Sequence, residues 1–155
     1  MNREHHYALS IEWTGNLGTG TSDYRAYTRN HFVSTENKPN ILASSDPHFR
    51  GDKTRYNPEE MLVAALSSCH MLSYLHLCAV NGVVVIGYTD KPTGTMVENP
   101  NGSGQFTEVT LNPVVKVKDS SMNEKATELH HQAEKLCFIA RSVNFAVHHK
   151  PKVIN

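Results

Sequence analysis

The chain has 155 residues, 39% of them hydrophobic and 19% charged, which is the size and balance of one ordinary soluble domain with a single core. Fifteen Lys and Arg offset fifteen Asp and Glu, so the net charge is zero with the histidines neutral, and nothing in it argues for a nucleic-acid or acidic-membrane partner. Three cysteines are too few, and odd in number, for a disulfide-built secreted scaffold, and Met1 to Tyr7 is polar without an apolar signal core; a reducing, cytoplasmic setting is expected.

Tyr7 to Gly15 alternates, with Tyr7, Leu9, Ile11 and Trp13 on one face, and runs into the turn-forming GNLGTGTS, so it is predicted as a first strand. A second extended segment is expected over Tyr24 to Ser34. Thr35 to Tyr56 has no sustained period and is predicted as a long functional or partner-covered loop. Asn57 as N-cap, Pro58 at the first helical position and Glu59 and Glu60 at the positive dipole end then start a helix, which Asn81 and Gly82 stop. Apolar residues lie almost all round it, as on a helix covered on several sides.

Met61 to Thr89 contains no Asp, Glu, Lys or Arg. A membrane span over Met61 to Val80 would leave Ser67, Ser68, His70, Ser73, Tyr74 and His76 poorly satisfied, so a buried central helix is expected and no membrane partner. Val83 to Thr89 is a β-branched strand, with Thr95 to Glu98 extending or pairing with it. A hairpin turn at Asn99 to Gly104 leads to a return strand carrying Phe106, Val109, Leu111, Val114, Val115 and Val117. Met122 to Ala140 is a second helix, and Val143 to Val147 a closing strand. The order ββ, α, ββ, α, β predicts a single α+β domain over 1–155 with mostly antiparallel sheet.

The chemistry rests on cysteine. Cys78 follows Cys69 by nine residues, which at about 100° per residue places it on the opposite helix face, so Cys69 and Cys137 form the couple if any two do. The competing reading makes all three small buried hydrophobes. A thiolate in mid-helix needs a cation beside it, because burial disfavours charge and the helix centre lacks the help of an N-terminus. Arg50 and Arg55 in the preceding loop are candidates, with Glu59 holding the guanidinium by a bidentate contact; Glu60 is read as a helix-end charge only. Glu59 and Cys69 are ten residues apart, about 15 Å along a straight helix and about 80° around it, so both cannot touch one arginine. Either the helix breaks after its first turn or a second chain contributes, and an obligate homodimer is predicted. The pairs His5–His6, His130–His131 and His148–His149 lack the i, i+4 spacing that puts two imidazoles on one helical face, so no metal is expected.

Asn57, Pro58, Glu59, Glu60, Met61 and Leu62, then Ala64, Ala65, Ser68, Cys69 and His70, resemble the NPEEL…AA…AC motif of the OsmC and Ohr family, the osmotically induced and organic hydroperoxide resistance proteins. The strand after Gly82, the hairpin to FTEVTLNPVVKV and a second cysteine late in the second helix extend the resemblance over nearly the whole chain from about Tyr7, in its OsmC-like branch. It implies an OsmC-like α+β fold, antiparallel sheets wrapped around two central helices in an intertwined homodimer with active sites at the subunit interface. It also implies a cysteine-based peroxidase reducing organic hydroperoxides without a cofactor: Cys69 as peroxidatic thiolate, Cys137 as resolving thiol, Glu59 orienting an arginine, and an external dithiol or lipoylated protein as reductant. The loop arginine matching the OsmC branch is Arg50, with Arg55 and Arg25 as rivals, and Phe138 stands where many relatives have proline after the second cysteine. Leu66, Phe138 and Phe145 would suit an organic peroxide. The alternative is a non-catalytic dimer of the same fold binding a small apolar ligand in its interface pocket.

Overall fold

Short antiparallel strands open the chain in the computed structural model, which describes residues 2–155 and divides into two compact units, one ending at Met61 and one running from Leu62 to Asn155. In the first unit β1 (Ser10–Trp13), β2 (His31–Ser34) and β3 (Ile41–Ala43) form one sheet in that order, with Trp13 opposite His31 and Phe32 opposite Leu42. The expected second strand is cut to its last residues because Arg29 organises what precedes it. Its guanidinium lies 4.3 Å over the Tyr24 ring and 4.1 Å over the Tyr27 ring, and donates to the carbonyls of both residues. The apolar positions there are platforms for a cation rather than one face of a strand.

Nor is Thr35 to Tyr56 structureless. It contains β3 and a 3-10 turn at Pro47–Phe49, capped by Asp46 accepting from the His48 N–H at 2.7 Å. Tyr56 returns along β3, donating to the Leu42 carbonyl and accepting from the Ser44 N–H. Gly51 is required here, since a Cβ would lie 1.6 Å from the Ser45 carbonyl oxygen.

Helix α1 (Pro58–Val80) begins as its sequence dictates. The Asn57 side chain accepts from the Glu60 N–H at 2.8 Å and the Glu60 carboxylate accepts from the Asn57 N–H at 3.2 Å, a reciprocal capping box. Gly82, at φ +73°, ends it. Its buried residues, Leu66, His70, Tyr74, Leu77 and Cys78, make a single stripe, while Leu72 and Val80 are well exposed, so one chain covers one side of the helix rather than several. The helix is long and apolar enough to cross a membrane by length and composition. Three of its polar side chains nevertheless have protein partners: Ser67 donates to Asp90, Tyr74 to the Ala126 carbonyl, and His70 bonds His130.

The second unit holds two three-stranded sheets, β4 (Val85–Thr89) with β7 (Val114–Val117) and β9 (Lys152–Ile154), and β5 (Thr93–Glu98) with β6 (Gly104–Leu111) and β8 (Ala146–His149). The predicted return strand is two strands, divided at Asn112 and Pro113, and β5 pairs with β6 rather than with β4. β9 follows Pro151 and was not expected. β6–β8 and β7–β9 run parallel, so the sheets are mixed. Helix α2 (Asn123–Leu136) is shorter than the predicted Met122 to Ala140, because Cys137 leaves the helix at ψ 108°. Leu77, Cys78, Val83, Val115, Val117, Leu129 and Ala133 form one core cluster, and Leu66, Val109 and Leu111 a second.

Candidate functional site

Cys69 projects from mid-α1, half-buried, and Cys137 sits fully buried in the extended residue that ends α2. The two thiols are neighbours, close enough for Cys69 to act on the Cys137 thiol. Burial raises the Cys137 thiol above its ordinary range, the neighbouring Cys69 adds to this, and the Ala140 N–H, donating to Cys137 Sγ at 3.4 Å, works against it. Cys137 is thus kept as a thiol. The couple singled out in the sequence is brought together, and all three cysteines are free thiols. Cys78 is the bland case: it packs in the core beside Tyr74, and burial raises its thiol too.

Glu59 and the arginines belong to the first unit. Glu60 is spent on the capping box, which leaves Glu59, half-buried, with a carboxylate oxygen Oε2 that has no hydrogen-bond partner. Arg55 carries the complementary orphan, a buried Nη1 without an acceptor; its Nε lies 3.7 Å from Asp52 and its guanidinium 5.9 Å from the Phe32 ring. Among the described residues no ion pair joins Glu59 to an arginine. Arg50 is exposed, follows the 3-10 turn in the left-handed region at φ 63°, and shares with Arg25 and Arg29 the wall of a cavity of about 360 Å³. A second cavity of about 360 Å³, almost wholly apolar in its lining, lies between Trp13, Tyr27, His31 and Pro58. Leu66 is core and Phe145 packs against its cluster, while Phe138 is 79% exposed beside Cys137.

A second polar cluster lies beside the thiols and was not foreseen. His70 of α1, His130 of α2 and His149 of β8 are stacked or tilted on one another, with ring centroids 5.4 Å and 4.5 Å from His70. His70 Nε2 and His130 Nδ1 are 3.1 Å apart. Burial lowers both, His70 to about 3 and His130 to about 4, with His149 adding to the effect, so both rings are neutral near pH 7. His70, a polar group of the expected buried helix, is half satisfied: its Nε2 meets His130 and its Nδ1 has no partner. Only the three-dimensional meeting of positions 70, 130 and 149 reveals the cluster. Among the described residues no three His, Cys, Asp or Glu side chains converge to hold a metal ion.

The model of the OsmC-like protein family matches residues 51–152. An OsmC-like protein of unknown function from Vibrio cholerae is 32% identical, covers 97% of this chain and all of its own, and superposes with a TM-score of 0.85. An organic hydroperoxide resistance protein from Elizabethkingia anophelis shares the fold at TM-score 0.67 and 18% identity, covering 99% of both chains. One from Legionella pneumophila does so at 0.65 and 14%, covering 98% of this chain and all of its own. A comparison with curated protein sequences returns no match.

Proposed function

This chain belongs to the OsmC-like protein family, and from that premise we propose that it is a two-cysteine peroxidase that reduces organic hydroperoxides. The observation that carries the reading is the meeting of Cys69 and Cys137, 68 positions apart in the chain, with their thiols in reach of each other. The Cys69 thiolate attacks the outer peroxide oxygen; the O–O bond breaks, the alkoxide leaves and takes a proton to become the alcohol, and Cys69 is left as sulfenic acid. Cys137 sulfur then attacks Cys69 sulfur, the S–O bond breaks, water leaves with the Cys137 proton, and a disulfide remains. An external dithiol, free or on a lipoylated protein, restores both thiols by exchange and is itself oxidised to a disulfide.

Arg50 is the proposed cation beside the Cys69 thiolate, supported by its position in the loop ahead of Glu59 and by a backbone strained into the left-handed region. Arg55 is its rival, supported by the unpartnered Nη1 in the same unit as the unpartnered Glu59 oxygen. Because α1 is unbroken from Pro58, Glu59 and Cys69 stay about 15 Å apart along one helix, which supports a site completed by a second copy in a homodimer. The uncovered α1 residues Leu72 and Val80, with Ile86 on β4, give that copy apolar surface to bury. Three free thiols fit a reducing, cytoplasmic setting.

A second reading, a binding dimer whose cysteines are passengers, is favoured only by the apolar cavity beside Trp13 and Tyr27. Steady-state consumption of cumene hydroperoxide with excess dihydrolipoamide separates the two. Cys69→Ser is expected to abolish turnover, and Cys137→Ser to stop after one equivalent with Cys69 trapped as sulfenic acid. Full activity of Cys69→Ser would end this mechanism, and a wild-type protein that consumes no hydroperoxide would leave the binding reading in place.

A further inference from the structure

Among the polar contacts that α1 makes with α2 and its C-terminal end, two are neighbours. One is the thiol pair. The other lies one residue further along α1, where His70 Nε2 meets His130 Nδ1 at 3.1 Å between fully buried side chains. His130 precedes Cys137 by seven residues, two helical turns, so on α2 the histidine lies above the place where the chain leaves for the cysteine. The pair is gripped on both sides: the Tyr74 ring stacks on His130 with centroids 3.8 Å apart, and the His149 ring packs on His70 at 4.5 Å. Between neutral imidazoles one nitrogen must donate and the other accept, so the bond fixes a tautomer on each ring.

The arrangement leaves His70 Nδ1 and His130 Nε2 buried without partners. Two apolar side chains would fill this interior without stranding ring nitrogens. What the imidazoles supply instead is direction: a hydrogen bond between planar rings, held face-on by neighbours, sets both the spacing and the rotation of α1 against α2. That spacing and rotation decide whether a sulfur on α1 reaches a sulfur at the end of α2, since a disulfide tolerates only a narrow range of Cα separations and Cβ directions.

We propose that His70 and His130 are positioning residues for the Cys69–Cys137 couple, their mutual hydrogen bond holding the two helices where the thiols meet and so raising the effective concentration of one thiol toward the other. The inference rests on the reading of those cysteines as a redox pair. It makes the histidines act on the disulfide equilibrium and leaves the attack of Cys69 on peroxide untouched.

The test is the equilibrium of the whole protein with mixtures of reduced and oxidised dithiothreitol at pH 7, under argon, quenched in acid and read by mass. In that exchange the two protein thiols give up two electrons and two protons and form one S–S bond, while the S–S bond of oxidised dithiothreitol breaks and takes them. His130→Phe keeps a ring and removes the bond. It is expected to weaken the protein disulfide about tenfold, a potential about 30 mV more positive. His130→Asn places an amide atom near the Nδ1 position and is expected to restore most of the loss. Tyr74→Phe removes another hydrogen bond between the same helices, from the Tyr74 hydroxyl to the Ala126 carbonyl, and is expected to stay within about twofold of wild type. In a Cys137→Ser background, His130→Phe should leave the rate of Cys69 sulfenic acid formation unchanged. Should His130→Phe fail to fold, His70→Leu breaks the same bond from the other side. A folded breaking variant with the wild-type potential, or a Tyr74→Phe loss as large as the histidine loss, overturns the proposal while leaving the peroxidase reading intact. A wild-type protein that forms no Cys69–Cys137 disulfide in this buffer overturns both.

Discussion

Glu59 and Arg55 present opposite charges with unpartnered, water-shielded atoms, an arrangement a folded protein keeps only where something else completes it. If a guanidinium serves the Cys69 thiolate, its removal should slow thiolate-dependent alkylation by iodoacetamide at pH 7 by about tenfold or more, since a neighbouring cation lowers a thiol pKa by more than about one unit. Arg50→Ala is expected to show this loss and Arg55→Ala a smaller one. The reverse order would move the role to Arg55. The buried imidazoles make a second prediction at this scale. Their folded pKa values, about 3 and about 4, lie below the ordinary 6.5, so in the unfolded chain they bind protons that the folded protein refuses. Stability is therefore full above about pH 7 and falls as pH drops through 6.5 toward the folded values, by on the order of 2 kcal/mol between pH 7 and pH 5.5 for the two together. Urea midpoints at the two pH values check this, and His70→Asn/His130→Asn should flatten the difference. Cys69, Cys137 and the Asn57 cap are legible in sequence because each depends on local spacing or on a motif, whereas Glu60, read there as a helix-end charge only, also closes the capping box. The histidine cluster is not legible there: two of its members stand in His–His pairs that look uninformative, and their faces are set by packing between α1, α2 and β8.

At the scale of elements, legibility followed the range of the forces. The start of α1 is written in four consecutive residues, and Asn57→Ala should cost about 1 kcal/mol in a urea titration by leaving the Glu60 N–H without its cap. A change below about 0.3 kcal/mol would mean that Pro58 and the helix dipole suffice. The end of α2 was overrun because Ala126, Leu129, Ala133, Leu136 and Cys137 keep helical spacing right up to the residue that turns extended. Phe138, pointing to solvent, carries no signal of that turn. Strand pairing was the least legible. Pro113 splits one apolar run into β6 and β7, and β8 and β9 add themselves in parallel, β8 to β6 and β9 to β7, from the far end of the chain, where only long-range contacts decide partner and direction.

On the scale of the whole molecule, the net neutrality and the apolar α1 found in the sequence describe a chain with one helix side still to cover. A homodimer is expected at micromolar concentration by sedimentation, and Leu72→Asp, on the exposed side of α1, should shift it toward monomer without unfolding the chain. A wild-type protein sedimenting as a monomer would remove the second copy from the site. Whether Cys69 and Cys137 act together on organic peroxides is decided by counting thiols. The reduced protein is given one equivalent of cumene hydroperoxide or of hydrogen peroxide, and free thiols and intact mass are followed in time. Loss of two thiols and about two mass units per chain is expected, faster with the organic peroxide, with the new bond between Cys69 and Cys137. Three surviving thiols per chain on that timescale would contradict that joint action.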